Sequence, residues 1–278
     1  MPTQRFPELD LNDLRETRDA LHAYARVLGG WLANGRPRRK HWWHASLRPS
    51  LRGLTTGVVR AQVDYELELD LIASALRVRT TDAELSADLT GQSAKDIAAL
   101  LDETLGTAGV DASLAPGDKV RGGRQFAGYS ATHSIRLQQA FASVSAALED
   151  FRAGIREESS PIQIWPHHFD LSMIWLPGPK VPGQDPANEE YADKQMNFGF
   201  VFGDEGIDEP YFYVTAYPLP DALPKVELPT GTTWRTDGFN GAVLLYKDLA
   251  AMSDPAAYLN ALWSTLLTAG RSHLGTNA

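Results

Sequence analysis

Hydrophobic residues recur at helical spacing in four stretches of the chain. These stretches cover about residues 11–33, 93–106, 132–155 and 254–270. Apolar residues three or four positions apart form one face of an amphipathic helix. Two stretches also begin with residues typical of helix starts: Ser93 with Asp96 three positions later, and Asp254 followed by Pro255. The pattern therefore predicts four main helices, the last of them closed by Gly270.

Strict alternation of apolar and acidic residues marks the clearest predicted strand, over residues 63–71. The acidic positions of this strand are Asp64, Glu66, Glu68 and Asp70. After a short turn, Leu76 and Val78 alternate with Arg77 and Arg79. Successive side chains of a strand point to opposite faces, so a hairpin would set the arginines across from the carboxylates. Because the acids are spread along the strand, we predict a solvated, ion-paired face and not a calcium site.

Further strands are predicted from shorter apolar or alternating runs, at 41–47, 165–176 (broken by Pro166), 198–202, 211–217 and 243–245. Runs of strands framed by helices indicate an α+β fold, mainly antiparallel, with about four helices. We expect a single compact domain over residues 1–278. The order of helix, strands and helix occurs twice, so 1–128 and 129–278 are possible pseudo-repeated halves.

Composition narrows the class of protein. The chain has 278 residues, 43% of them hydrophobic and 22% charged, a formal net charge of −9 and no cysteine. A net negative charge repels polyanions, so we expect neither nucleic acid nor a membrane as partner. The absence of cysteine excludes disulfides and thiolate chemistry. The beginning of the chain does not resemble a signal peptide and no apolar run is long enough for a membrane span, so we expect a cytoplasmic protein.

Two short segments concentrate the side chains that could form a site. Residues 40–44 and 164–170 together hold four of the seven histidines and three of the seven tryptophans. Apolar walls with a few polar groups are typical of small-molecule sites. We therefore predict a ligand pocket between the two halves, with the proline-rich loop 177–186 as a lid. Its candidate residues are His41, Trp42, His44, Arg48, Arg52, Thr55, Thr56, Trp165, Asp170, Glu190, Tyr211, Tyr213 and Tyr217.

A metal site is an alternative, although a less favoured one. His168 and Asp170 would share one face of the predicted strand, and His44 would complete a set of two histidines and one carboxylate, with Glu190 as base or fourth ligand. Such sets hold iron, zinc or manganese for hydrolysis or oxygenation. Against it, histidines near tryptophans often only form hydrogen bonds in a polar core.

A third reading is a non-catalytic module that binds a protein partner through the tyrosine row 211–217 and loop 177–186. The basic run of residues 36–40 could contact phosphate or nucleic acid, but a solvated linker is favoured. No G-x-S-x-G nucleophile turn occurs. The sequence leaves the ligand, any cofactor, catalysis and the oligomeric state open.

Three groups of motifs resemble an uncharacterised bacterial family, one of the domain-of-unknown-function groups. The motifs are His41-Trp42-Trp43-His44 with Arg52-Gly53-Leu54-Thr55-Thr56, Ser160-Pro161 with Trp165 and Phe169-Asp170-Leu171, and Glu209-Pro210 with Tyr211-Phe212-Tyr213 and Tyr217-Pro218. The resemblance spans nearly the whole chain and implies a cytosolic protein without an assigned activity. His167-His168 replaces a small pair in the family pattern, which counts against a metal role for His168.

Overall fold

The computed structural model describes residues 6–275, and the chain divides into two compact units. The first unit consists of Asn12–Ala142 and Gln163–Phe169. The second consists of the described residues up to Leu11, Ser143–Ile162 and those from Asp170 onward. Each unit contains an antiparallel sheet together with helices, so the predicted α+β class is confirmed. A duplication of the halves 1–128 and 129–278 stays a prediction.

The helices match the four predicted ones and add two short segments. They are α1 (Leu11–Gly35), α2 (Ala94–Thr107), α3 (Ala131–Ala153), α4 (Glu189–Ala192), α5 (Tyr246–Ala250) and α6 (Pro255–Leu274). Ser93 caps α2 in a capping box with Asp96, and Asp254 caps α6. Gly270 does not end α6 as predicted. A Cβ at Gly270 would lie 2.2 Å from Met196 Sδ, so this glycine allows the helix to pack closely against its neighbour.

The strands include five short ones that the sequence pattern did not predict, β1, β2, β5, β6 and β11. The strands are β1 (Arg48–Pro49), β2 (Gly53–Thr55), β3 (Tyr65–Asp70), β4 (Ala75–Thr80), β5 (Glu84–Asp88), β6 (Glu158–Ser159), β7 (Gln163–Trp165), β8 (Asp170–Leu176), β9 (Gln195–Val201), β10 (Tyr211–Tyr217), β11 (Thr232–Arg235) and β12 (Gly241–Leu245). Two predictions need correction. Residues 41–47 do not form a strand, and the predicted strand 165–176 is two strands separated by a turn at residues 166–169. No helix among residues 6–275 is long and apolar enough to cross a membrane.

The sheet of the first unit has the strand order β1-β2-β3-β4-β5, all pairs antiparallel. In the predicted hairpin, Glu68 is paired with Arg77 and Glu66 with Arg79. The apolar face of the sheet is covered by α1, where the Trp31 ring packs edge-on against Tyr65 with ring centroids 6.1 Å apart.

The acidic face of this sheet is not solvated as predicted. Glu68 and Asp70 are only 6% and 0% exposed. Asp70 Oδ2 accepts hydrogen bonds from Arg52 Nε at 2.6 Å and Arg77 Nε at 2.8 Å. Burial by itself would raise the pKa of Asp70, but the hydrogen bonds of Arg52, the Ala73 N–H and Arg77 lower it below its usual value. The arginines therefore cover the carboxylates as well as pairing with them.

The sheet of the second unit contains six of its strands in the order β11-β12-β10-β9-β8-β6. Aromatic side chains of its core join the helices to the sheet. Phe151 of α3 lies 5.0 Å from Phe198 of β9 and 5.4 Å from Trp263 of α6, measured between ring centroids. Phe212 of β10 stacks on Tyr246 of α5 at 5.9 Å. This sheet carries the predicted tyrosine row.

Replacing Gly53 by alanine should destabilise the first unit, because the added Cβ would lie 1.8 Å from Leu69 O on the paired strand. We expect the free energy of unfolding to fall by about 1–3 kcal/mol, the usual range for overpacking. Gly106→Ala in α2 is the control, since its Cβ would meet nothing within 4 Å. That variant should gain about 0.5–1 kcal/mol from helix propensity. Urea denaturation measures the free energy of unfolding of both variants. Equal effects of the two substitutions would contradict a close approach of Gly53 to β3.

Candidate functional site

The segment around the HWWH motif is a tight helical turn and not a strand. Lys40–Ala45 is a 3-10 helix in which His41 (φ 49°, ψ 29°) and Trp42 (φ 58°, ψ 22°) have left-handed backbone conformations. This conformation costs an L-residue about 1–2 kcal/mol. The side chains of the turn form two ring stacks. Trp42 stacks on His44 at 5.4 Å and His41 on Trp43 at 6.3 Å between ring centroids.

The strained turn presents one tryptophan to solvent. Trp42 is 51% exposed, whereas His41 and His44 are buried. The Arg38 guanidinium lies 5.0 Å from the centroid of the Trp42 ring, and Lys40 Nζ lies 5.4 Å from that of Trp43. Residues 36–44 thus combine four cations with two tryptophans on one short segment, which we call the basic aromatic turn.

His44 stabilises this turn through a hydrogen bond with the main chain. Its Nδ1 accepts a hydrogen bond from the backbone N–H of Arg39 at 3.2 Å. Burial lowers the pKa of His44, and the nearby charge of Arg38 lowers it further. The imidazole is therefore held neutral, with its proton on Nε2, and serves as a hydrogen-bond acceptor for the main chain.

The two predicted segments lie side by side in the first unit. Leu47 and Ile164 form an antiparallel bridge with two N–H···O bonds of 3.0 Å. Gln163 Oε1 accepts from Ser46 Oγ at 2.7 Å and from Arg48 Nη1 at 2.8 Å. Gln163 Nε2 is buried and has no acceptor among residues 6–275. Sequence reasoning missed Gln163, although a glutamine inside the apolar run Ile162–Trp165 was a visible signal.

Residues 166–169 form a turn packed on α1. A Cβ at Gly29 would lie 2.5 Å from Pro166 Cγ, so only glycine permits this approach. His22 Nε2 donates to His167 O at 3.1 Å, and the His22 ring stacks on Phe169 at 5.5 Å. Burial lowers the pKa of His22. Trp165 is buried, with its ring edge-on to that of His167.

The metal hypothesis loses its geometric basis. His168 lies in the turn at residues 166–169 and not on a strand face shared with Asp170, because the strand stops at Trp165 and resumes at Asp170. The His168 ring instead lies 4.4 Å from the His167 ring. Desolvation of the His167 imidazole lowers its pKa to about 4, and the charges of His168, His22 and Arg26 contribute. Within the described part of the chain, no three His, Asp or Glu side chains form a group that could hold a metal ion.

Arg52, Thr55 and Thr56 serve the sheet of the first unit. Arg52 pairs with Asp70, as described above. Thr55 Oγ1 donates to Glu66 Oε1 at 2.6 Å, and the buried Thr56 Oγ1 accepts from Leu67 N at 2.9 Å. The hydroxyls of both threonines are therefore committed to β3.

The remaining predicted residues belong to the second unit. Tyr213 Oη donates to Asp170 Oδ2, and Tyr211 Oη donates to Asp204 Oδ2 at 2.5 Å. Burial raises the pKa of both tyrosines, and the neighbouring carboxylates raise it further. Tyr217 is half-buried against Tyr191, and Glu190 is exposed. The hydroxyls of Tyr211 and Tyr213 are thus bonded to carboxylates of their own unit. Docking of a protein partner on the tyrosine row stays a prediction.

Acidic pH should weaken the fold through His44. Because the folded protein holds its pKa below the ordinary value of about 6.5, the unfolded chain takes up a proton first as the pH falls. The free energy of unfolding should therefore decrease from about pH 6.5 downward. His44→Asn keeps an acceptor near the position of Nδ1 but does not titrate, so its stability should fall less steeply. Urea denaturation between pH 7.5 and 5 measures the free energy of unfolding of both proteins. The same pH dependence in His44→Asn and in the unchanged protein would refute the role of His44.

Loss of the Tyr213 hydroxyl should destabilise the second unit. A hydrogen bond to a charged group contributes about 1.5–3 kcal/mol, so we expect a loss of that size for Tyr213→Phe. Tyr191→Phe is the matched control, because the Tyr191 ring is 47% exposed and its hydroxyl makes no hydrogen bond to residues 6–275. Thermal or urea denaturation compares the two, and an equal effect of both changes would show that the Tyr213–Asp170 bond contributes nothing.

Comparisons with known proteins agree with the motif resemblance. Neither the curated proteins nor the solved structures contain a match to this chain. A family model described as a family of unknown function (DUF5996) matches residues 6–275, which is nearly the whole chain. The predicted membership of a domain-of-unknown-function group is thereby confirmed: the chain belongs to the DUF5996 family.

Proposed function

We propose that the protein binds a small molecule that carries both a planar apolar group and an anionic group, and that the basic aromatic turn is the binding site. The planar group would contact Trp42, and the anion would pair with Arg38, Arg39 or Lys40. The observation that carries this proposal is the half-exposed Trp42 on a left-handed backbone.

Packing alone does not account for the position of Trp42. Large aromatic side chains are usually buried, and here a strained backbone leaves 51% of the tryptophan exposed. Strained residues are concentrated at ligand sites, where the surrounding structure compensates for their cost. In the basic aromatic turn the compensation comes from the His44–Arg39 hydrogen bond and from the two ring stacks.

The charge of the turn favours an anionic ligand of small size. Four of the five residues 36–40 are cationic in a chain of net charge −9. Arg38 and Arg39 are exposed, so an anion in the solvent can approach their guanidinium groups. The field of the whole protein repels a long polyanion, whereas a small anion experiences mainly the local cations. This argument favours a metabolite-sized ligand over nucleic acid.

Ser46 and Gln163, which adjoin the basic aromatic turn, would fix its geometry. Ser46 Oγ bonds Gln163 Oε1 and also lies 3.0 Å from Trp43 O, so the end of the turn is tied to β7. Sites that hold a ligand need such support, because a loosely held contact residue loses entropy when it binds. Gln163 and Ser46 are therefore positioning residues in this proposal.

Three probes of matched structure test the proposal: phenyl phosphate, benzamide and inorganic phosphate. Phenyl phosphate should bind more tightly than either of the others, because it alone has both the ring and the charge. Trp42→Ala should weaken its binding about tenfold, which corresponds to about 1.4 kcal/mol. Chemical-shift titration of the full chain measures the affinities and shows which indole N–H signal moves.

Leu51→Ala is the control variant, because Leu51 is a 93% exposed apolar residue of the same unit. Its removal should leave the affinity unchanged. Arg38→Gln with Arg39→Gln should reduce binding of phenyl phosphate but not of benzamide. Equal affinity of Trp42→Ala and the unchanged protein would contradict the proposal, as would tighter binding of benzamide than of phenyl phosphate.

A further inference from the structure

A second feature of the first unit lies outside the basic aromatic turn. A cavity of about 110 Å³ lies between α1, the start of α2 and the loop that precedes α3. Its lining includes Arg26, Ala94, Lys119, Gly122, Arg124 and Phe126. The loop residues belong to a glycine-rich, basic connector between α2 and α3, which lacks the glycine spacing of a phosphate loop.

The connector has a defined structure at this cavity, although it contains little regular structure. Gly122 O accepts from Lys95 N at 3.0 Å, which ties the loop to the first turn of α2. Arg121 forms two hydrogen bonds with Asp102, of 2.5 and 3.0 Å, and a third with Pro116 O at 2.9 Å. These hydrogen bonds hold the loop segment that contains Lys119 and Gly122 against α2.

The cations of the cavity differ in their partners. Arg124 is paired with Glu16 at 2.6 Å and Asp19 at 3.5 Å, and its guanidinium lies 4.9 Å from the centre of the Phe126 ring. Arg26 and Lys119, in contrast, have no carboxylate within salt-bridge distance anywhere in residues 6–275. Arg26 also lies close enough to His22 and His167 to lower the pKa of both. The lining of the cavity thus includes two positive charges, Arg26 and Lys119, without a carboxylate partner in the described chain.

We propose that this cavity binds a small anionic group, a phosphate or a carboxylate, between Arg26 and Lys119. Pockets that enclose a drug-sized ligand measure about 300–1,000 Å³. A cavity of about 110 Å³ therefore suits the anionic group alone, with the remainder of any larger ligand in solvent. Pairing with the anion neutralises charges that the protein itself leaves unpaired.

Gly122 provides a second test of the cavity proposal, independent of the two cations. A Cβ added there would meet no atom of the protein within 4 Å, and its φ lies outside the left-handed region. Neither packing nor backbone strain therefore requires glycine. A glycine on the wall of a cavity allows a ligand to approach the main chain closely. Gly122→Ala should consequently fold normally and bind phosphate more weakly.

Inorganic phosphate is the probe, added to the full chain at constant ionic strength with chloride as the reference anion. Backbone amide shifts should change in a saturable way at residues 119–124. Arg26→Gln and Lys119→Gln should each weaken binding at least fivefold. Arg136→Gln is the matched control, because Arg136 is also an exposed helix arginine of the same unit without a carboxylate partner in the described chain. It should leave the affinity unchanged.

The outcomes separate this proposal from the basic aromatic turn. Shifts that saturate at residues 119–124 and disappear in Arg26→Gln support the cavity. Shifts confined to residues 36–44 would overturn the cavity proposal and leave the proposed function intact. Shifts that increase linearly without saturation, or an equal loss in Arg136→Gln, would show that phosphate only screens surface charge and would also overturn it.

Discussion

The antiparallel bridge between Leu47 and Ile164 is the constraint on which the candidate site depends. Its two hydrogen bonds connect parts of the chain more than one hundred residues apart and place Gln163 against Ser46 and Arg48. Without this bridge, the end of the basic aromatic turn would be an ordinary solvent-exposed connection. Loops that are fixed to a rigid scaffold are the usual carriers of binding residues. The bridge provides that scaffold here.

Hydrogen bonds inside the protein explain why many polar residues of the predicted site do not face a ligand. Arg52 is held by a buried aspartate, Thr55 by a glutamate, and Tyr211 and Tyr213 by carboxylates of their own unit. A buried polar group without a partner costs about 1–3 kcal/mol, so folding pairs such groups first. The groups that remain exposed, above all Trp42 and the adjacent cations, are therefore the better guide to binding.

Both proposed sites depend on a local excess of positive charge in an acidic protein. Several arginines of the first unit are matched by carboxylates at short distance, as in the pairs of Arg77 and Arg79 with the acids of β3. At the cavity, Arg26 and Lys119 lack such partners within the described chain. A small anion experiences the nearest charges much more strongly than the distant ones, because salt screens the field beyond about 8–10 Å. Local cations can thus select small anions despite a net charge of −9.

The sequence by itself determined the α+β class, the main helices and the placement of Arg77 and Arg79 across from the carboxylates of β3, because helix caps and alternation are local patterns. It also identified the two segments that lie together. It did not determine the shape of the HWWH segment, since the left-handed backbone at His41 and Trp42 leaves no signal in the hydrophobic periodicity of the sequence. The burial of Asp70 and the cavity beside Lys119 likewise arise from packing between elements, which only the tertiary structure decides.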